Sequence, residues 1–591
     1  MNSSTTLKER VDTAIAPAEA VRSRRALLLP MCLLFIYMAQ CTVFIYTQSL
    51  TFDEPIHIFT GWEMWRNGRF QYWNDHPPLS RLLCTLPILS QKWQMDVAGR
   101  FPFFEAKRFY PDPETMAHRG RAVNVVLGLI LALLLWTTAR RLFSEPAANL
   151  ALALLAFSPA LITHFSLITT DGAGVLFIFA TAIQLVRWAQ NPTRGQTALL
   201  GLVMGFLLLA KFYTPPMFLL ALAWILILQP TGAVADPREW NWRSAVAVCG
   251  IAFLLLWAGY FFHVSHLTMR QGQMIATFPN REPIIKKMRT PVSFSIPVPA
   301  GEYFEGLRSV AFHNHRGHQS FFLGTASKVG GWKSYYPAVI VLKWPTMVLV
   351  LFATLLLLTL RGRVNLPREQ LIMASFPAVF LVFAVFSKID IGDRHVLPLY
   401  PFVLLFLAGW WQLMRRSRVV MVVLLAAITL NAVDALRYAP DYLAYFTPLV
   451  SAKESYKFLS DSNLDWGQGL LALRKYENQH PHEQIYLAYF GSVDPAAYGL
   501  RSRPLLENQR VAGATVIVSA TSLTGQMLEN FSSYRWVLQY RQKALLDNSL
   551  HVFEIPPAPI PPKTANFAAG TGHCCVTSAS VGSRTAKARL R

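Results

Sequence analysis

Two short motifs in this sequence place chemically capable side chains beside apolar runs. The first is Thr51-Phe52-Asp53-Glu54-Pro55, where two carboxylates follow the first hydrophobic stretch. A carboxylate at a membrane boundary stays hydrated enough to remain ionised yet reaches a lipid head group, so it can act as a general base. An acidic helix start accounts for the same residues without chemistry. The second motif is Asp75-His76-Pro77-Pro78-Leu79-Ser80-Arg81. Consecutive prolines fix the backbone, and Arg81 can then offer a planar fork of donors to a phosphate oxygen; the alternative is a plain turn with a snorkelling arginine.

Further candidates lie downstream. His313-Asn314-His315-Arg316-Gly317-His318 invites a metal reading, but no carboxylate is near in sequence to orient the histidines, so no metal site is assigned. Lys343 falls inside an apolar run just before Pro345 and must face a cavity or snorkel outward, paired either with a carboxylate or with a lipid phosphate. Asp461-Ser462-Asn463-Leu464-Asp465-Trp466-Gly467-Gln468 reads either as an Asx turn and helix cap or as an acceptor contact.

The elements that must position these residues are membrane helices. Of 591 residues, 53% are hydrophobic and 15% charged, too apolar for ordinary soluble domains. Apolar runs at about 26–50, 122–139, 147–166, 172–188, 197–210, 215–229, 244–263, 337–360, 370–387, 396–413 and 419–436 predict an all-α polytopic protein of about eleven spans. The net charge of +22 sits largely in short connectors, among them Arg140 and Arg141, Arg187 and Arg194, Arg238 and Arg243, Arg361, Arg363 and Arg368, and Arg415, Arg416 and Arg418. All fall on one side, which the positive-inside rule makes cytoplasmic, so the charge implies no nucleic-acid partner.

That orientation leaves residues 1–25 cytoplasmic, ahead of a retained signal anchor, and a membrane domain over 26–438. Two long loops, about 51–118 and 264–335, then face outward. A small soluble α/β domain is expected over 440–556, with strands at 484–490, 514–518 and 551–555 and a helix over 465–476, followed by a disordered tail at 557–591. The six cysteines, including adjacent Cys574 and Cys575 in the tail, form no disulfide framework.

In order and placement these motifs resemble the lipid-carrier-dependent glycosyltransferases of the GT-C superfamily, nearest the protein O-mannosyltransferase and aminoarabinose transferase group. The resemblance rests on Asp53-Glu54, on His76-Pro77-Pro78-Leu79, on Arg121 with Asn124 and Gly128, and on Thr169-Thr170-Asp171. It continues through Gly317-His318, Gly331-Trp332, Tyr335-Tyr336-Pro337, Lys343-Trp344-Pro345 and Asp393-Arg394-His395. The segment Asp461 to Gln468 is similar to one in bacterial members, and the resemblance covers most of residues 26–475.

The resemblance implies that Asp53 is the base, with Glu54 and Asp171 as its acidic neighbours. It places the carrier phosphate among His76, Arg81, Lys211, His318, Lys343, Arg394 and His395. Arg81 stands where the eukaryotic enzymes carry lysine, and the second long loop lacks their β-trefoil insertion, which leaves the acceptor open among protein, lipid and glycan hydroxyls. The implied partners are membrane lipids and a polyprenyl-phosphate sugar donor. No cofactor is expected, and no divalent metal is demanded. A multi-span transporter or lipid flippase is the rival reading, but such proteins bind near the midplane, often between repeated halves, whereas these candidates gather at one boundary and no repeat is visible.

Overall fold

The computed structural model describes residues 27–557 apart from 73, 91–111, 229–236, 271–272, 281–282, 288–292, 363–366 and 415–416. The expected cytoplasmic segment 1–25, the tail beyond 557 with Cys574 and Cys575, and part of the first long loop lie outside these residues.

Each apolar run expected from the sequence is helical. The first is α1 (Leu28–Thr47), followed by α2 (Glu54–Asn67) and α3 (Leu79–Thr85). Next come α4 (Pro113–Leu142), α5 (Glu145–Ala156), α6 (Pro159–His164), α7 (Asp171–Gln190), α8 (Arg194–Ala210), α9 (Pro215–Ile227) and α10 (Pro237–Gly259). Local chemistry sets several of the ends. Asp112, Ser144 and Thr193 accept backbone N–H groups at the starts of α4, α5 and α8, and Gly68, at φ 59°, closes α2 in the left-handed conformation.

After a stretch of strands come α11 (Gly301–Arg316), α12 (Tyr335–Lys343), α13 (Thr346–Leu360), α14 (Arg368–Val385), α15 (Tyr400–Met414) and α16 (Arg418–Leu436). Two expected runs are broken where proline removes a backbone donor and disfavours helix in the residue before it: Ser158-Pro159 separates α5 from α6, and Trp344-Pro345 separates α12 from α13. By length and composition, five helices described here are long and apolar enough to cross a membrane alone: Leu28–Thr47, Pro113–Leu142, Asp171–Gln190, Trp240–Gly259 and Arg368–Val385. Phe35, Leu254 and Val422 are among many large apolar side chains left exposed, as a lipid-facing belt requires.

The second long loop is more ordered than its sequence suggests. It forms an antiparallel sheet of β1 (Val264–Arg270), β2 (Gln273–Thr277), β3 (Ile284–Lys287) and β4 (Phe294–Pro299) in the order β3-β2-β1-β4, then α11 and the hairpin β5 (Ser320–Phe322) and β6 (Thr325–Ser327). These strands are short and largely exposed, so they carry only a weak alternation of apolar and polar residues.

Beyond α16 lie α17 (Leu470–Gln479), β7 (Ile485–Ala488), β8 (Arg503–Pro504), β9 (Ala514–Ser519), α18 (Ala520–Thr524), β10 (Gln542–Leu546) and β11 (Leu550–Ile555). The sheet order is β10-β11-β9-β7-β8, with β7 parallel to β8 and β9 and the remaining pairs antiparallel. The three expected strands are present, and β8 and β10 are additional. This sheet is no detached appendage: Leu470, Leu487, Ile517 and Val552 share one buried cluster with Leu50, Ile58, Cys84 and Met116 of the first outer loop and its flanks.

Candidate active site

Residues 48–54 join α1 to α2, and almost every polar group of that turn is held. Ser49 N–H donates to Gln468 O at 2.9 Å, and Phe52 N–H donates to Trp466 O at 2.8 Å. Leu50 N–H donates to Tyr498 Oη at 2.9 Å, while Phe52 O accepts from Ser492 Oγ at 2.6 Å. The C-terminal segment therefore fixes the stretch that carries Asp53.

From the other side, Arg121 of α4 donates to Gln48 O and Ser49 O, each at 2.7 Å. The same guanidinium grips Glu54 through Nε at 2.8 Å and Nη2 at 2.7 Å, with both side chains fully buried. Thr51 N–H and Ile168 N–H also donate to the Glu54 carboxylate, at 2.7 and 2.8 Å. Glu54, expected among the catalytic acids, thus has both oxygens held by Arg121 and by backbone N–H groups. Arg121→Met would strand a buried carboxylate and is expected to cost about 3–5 kcal/mol, read as a lowered unfolding temperature in detergent.

Asp53 faces Arg394, with Oδ2 to Nη1 at 2.8 Å. The guanidinium lies 4.2 Å from the Trp466 ring, and its Nε is buried without a hydrogen-bond partner among the described residues. Asp171, at the start of α7, pairs with Lys211 at the end of α8, leaving Asp171 Oδ2 likewise without a partner. Lys211 also feels the charge of Asp53, and Asp171 that of Arg394, so the two ion pairs lie within electrostatic reach of each other. Asp393 accepts from or shares a proton with His164 at 3.2 Å, next in sequence to Arg394. His395 lies parallel to Tyr336 with ring centroids 6.2 Å apart.

A second lobe surrounds Arg81. This guanidinium is fully buried and meets His57 Nδ1 at 3.2 Å, His76 O at 3.5 Å and Asp75 Oδ1 at 3.4 Å. His57 feels the charges of Asp171, Arg394 and Lys211, and Asp75 feels that of Asp53, which joins the lobe to the first. His76 Nδ1 is buried without a partner among the described residues. Unpaired buried atoms of both signs gathered in one place are what a polar ligand would satisfy.

Two expected contacts sit differently. Lys343 donates to Leu443 O at 2.9 Å and also to the Tyr445 and Asn463 carbonyls, so its ammonium staples α12 to the chain beyond α16. Lys343→Met would orphan three buried carbonyls, and a clear drop in unfolding temperature is the expected result. His318 lies at the margin, 3.1 Å from His313 and within electrostatic reach of Arg394. Burial pushes its imidazole down to about 3. Among the described residues no group of three or more His, Cys, Asp or Glu side chains is arranged to hold a metal ion.

Sequence reasoning passed over His57 and His164, gave Asp393 no role within its motif, and left Asp461 in a segment read either as a turn and cap or as an acceptor contact. Asp461 adopts φ 58°, with Oδ2 held by Gln526 Nε2 at 3.0 Å, and it feels both Arg394 and Asp53. Burial pushes Asp461 up to about 6 against the pull of Arg394, and Asp75 up to about 6 against that of Arg81. Each gains its negative charge as pH rises through 6 and then helps to hold its arginine. Turnover is therefore expected to climb between pH 5 and 7, with Asp75→Asn and Asp461→Asn each flattening part of the climb in a pH–rate profile.

Residues 117–257 match the family described as dolichyl-phosphate-mannose-protein mannosyltransferase, a stretch that contains Arg121, Asp171 and Lys211. No protein of curated function matches the chain at a significant level. Among solved structures, the S. cerevisiae protein O-mannosyltransferase Pmt1-Pmt2 complex bound to the sugar donor aligns at 11% identity with a TM-score of 0.50, covering 78% of this chain and 95% of that one. ArnT from Cupriavidus metallidurans bound to undecaprenyl phosphate aligns at 13% identity and a TM-score of 0.44, over 90% of this chain and 99% of that one. Over residues 117–257 this chain is therefore similar to the dolichyl-phosphate-mannose-protein mannosyltransferase family, and its fold is like that of the Pmt1-Pmt2 protein.

Proposed function

We propose that the chain transfers a sugar from a polyprenyl-phosphate-linked donor to a hydroxyl of a protein, lipid or glycan acceptor at the extracytoplasmic face, with inversion. The observation that carries this reading is that the ion pairs Asp53–Arg394 and Asp171–Lys211 lie within electrostatic reach of each other. Asp53 takes the proton of the acceptor hydroxyl as its oxygen attacks the anomeric carbon. The bond from that carbon to the phosphate oxygen breaks, and the electron pair leaves with the phosphate. Arg394, through the Nε that has no described partner, stabilises the charge that develops there, with Lys211 and Arg81 behind it. No general acid is needed, because phosphate is already a good leaving group.

Orientation is supported by the arrangement of charge. Arg121 and Asp171 mark the site end of α4 and α7, and Arg141 and Arg187 lie at their opposite ends, the side the positive-inside rule assigns to the cytoplasm. The test supplies purified full chain with polyprenyl-phosphate sugars and a panel of hydroxyl acceptors. Acceptor-dependent release of the carrier phosphate, lost in Asp53→Asn, is the expected result. Binding of the sugar donor followed by its movement across a vesicle membrane, with no release of phosphate, would favour the flippase reading instead.

A further inference from the structure

Among the described residues the Asp53 carboxylate has one hydrogen-bond partner, Arg394, so the direction in which it points is set largely by the backbone that carries it. The Cα of Asp53 hangs between two rigid peptide planes. The plane that follows is fixed by α2, because Asp53 O accepts His57 N–H at 3.1 Å as the first turn closes. The plane that precedes lies outside the helix, and its carbonyl, Phe52 O, accepts from Ser492 Oγ at 2.6 Å, a contact between residues 440 apart in sequence. On the other side of Phe52, its N–H donates to Trp466 O at 2.8 Å, so rotation about that residue is stopped at both ends.

Ser492 is itself firmly placed. It lies in the loop that leaves β7, between Phe490, whose ring stacks on that of Phe52 with centroids 5.2 Å apart and planes 16° apart, and Val493, which is buried in the cluster that also holds Leu50 and Tyr498. Phe490 N–H donates to Ser519 Oγ at the end of β9 at 3.2 Å, and Asp494 Oδ1 accepts Ala496 N–H at 3.0 Å to close the next turn. The five-stranded sheet thus presents one hydroxyl to the peptide immediately ahead of the carboxylate.

We propose that Ser492 is a positioning residue for the transfer: its hydroxyl fixes the peptide plane ahead of Asp53, and through it the line along which that carboxylate meets the acceptor hydroxyl. This rests on the reading of Asp53 as the base, and it gives the C-terminal sheet a part in the rate. A base misplaced by about 1 Å costs up to about 10²-fold. Donor binding is assigned to Arg394, Lys211 and Arg81, none of which bonds Ser492, so the effect belongs to turnover. Ser492 and Phe52 are both partly exposed, and in Ser492→Ala a water can take the Phe52 carbonyl. The hydrogen bond is then replaced while the fixed direction is lost, which spares stability.

The experiment measures carrier-phosphate release by purified full chain with the polyprenyl-phosphate sugar and hydroxyl acceptor that wild type turns over fastest. It compares wild type, Ser492→Ala, Ser492→Thr, Asp53→Asn and the Ser492→Ala/Asp53→Asn double variant. Ser492→Ala is expected to lower kcat about tenfold, the share of one hydrogen bond, with donor KM and unfolding temperature nearly unmoved. Ser492→Thr keeps the hydroxyl and is expected to recover most of the rate. In the Asp53→Asn background the alanine change is expected to cost nothing further, since a residue that acts through the base has nothing to act on once the base is gone. Wild-type kcat in Ser492→Ala, a rise in KM in step with the fall in kcat, or the same loss repeated on top of Asp53→Asn would each overturn the proposal and leave Asp53 as the base. Full turnover in Asp53→Asn, or no release by wild type with any acceptor, would instead take down that reading and the proposal with it.

Discussion

Asp53→Asn lowers turnover by about 10²- to 10⁴-fold, the range a positioned base supplies, while the donor is still retained and the unfolding temperature moves little. The two readouts diverge because of how the turn is built. The hydrogen bonds that shape residues 48–54 run through the backbone, Glu54 and Arg121, and none of them depends on the Asp53 carboxylate. The ion pair it gives up is to Arg394, whose charge Asp171 and Asp461 also offset and from which the amide oxygen of asparagine can still accept, so no buried guanidinium is stranded. An isosteric amide therefore removes proton acceptance and leaves the rest of the site standing. The measurement is release of carrier phosphate under saturating donor, beside thermal unfolding of the same preparation. Undiminished turnover in this variant would take the base role away from Asp53.

The neighbouring carboxylate behaves in the opposite way, and the comparison exposes what the sequence could convey. Asp53 and Glu54 are adjacent, alike in chemistry, and both lie at the exit of the first apolar run, so no local pattern divides their roles. The division comes from Arg121, 67 residues away on α4, whose guanidinium reaches Glu54 and the carbonyls before it. The spans were legible because burial in lipid demands long apolar runs, a signal summed over some twenty residues. The positions of Lys211 and Arg394 at the ends of those runs were legible for the same reason.

Contacts between distant segments were not. Lys343 looks like a cavity cation by composition, yet three carbonyls beyond α16 claim it. The Asp461 to Gln468 segment reads either as an Asx turn and helix cap or as an acceptor contact; Asp465 Oδ1 does accept from Gly467 N–H, but the next helix starts at Leu470 with no side-chain cap. Its larger consequence is that the Trp466 and Gln468 carbonyls anchor the turn before Asp53 while the Trp466 ring backs Arg394. A backbone carbonyl is the same in every residue, so a role exercised through carbonyls leaves no trace in side-chain identity. The sheet of the second long loop was missed for a different reason: its four strands are short and at most partly buried, and they provide little of the alternation by which a strand is recognised.

Arg394→Met is the complementary experiment, and its effect should match that of losing a main electrostatic donor, about 10²- to 10³-fold in turnover. Arg394 touches Asp53 through one nitrogen, stacks on Trp466, and carries a buried Nε that no described residue satisfies. If the donor phosphate takes that nitrogen, one side chain links the base to the leaving group and sets the distance between them. Methionine keeps much of the volume but loses both links, so turnover falls and donor binding weakens with it. Arg394→Lys restores the charge without the planar fork or the stack, and should recover donor affinity more than rate. The same separation is absent from a purely structural role, in which methionine and lysine would lower the unfolding temperature and both kinetic constants in step. Steady-state kinetics of the two variants against donor concentration decides between these outcomes: a lysine enzyme with wild-type turnover would show that only a point charge is needed at this position, and the bridging geometry would have to be abandoned.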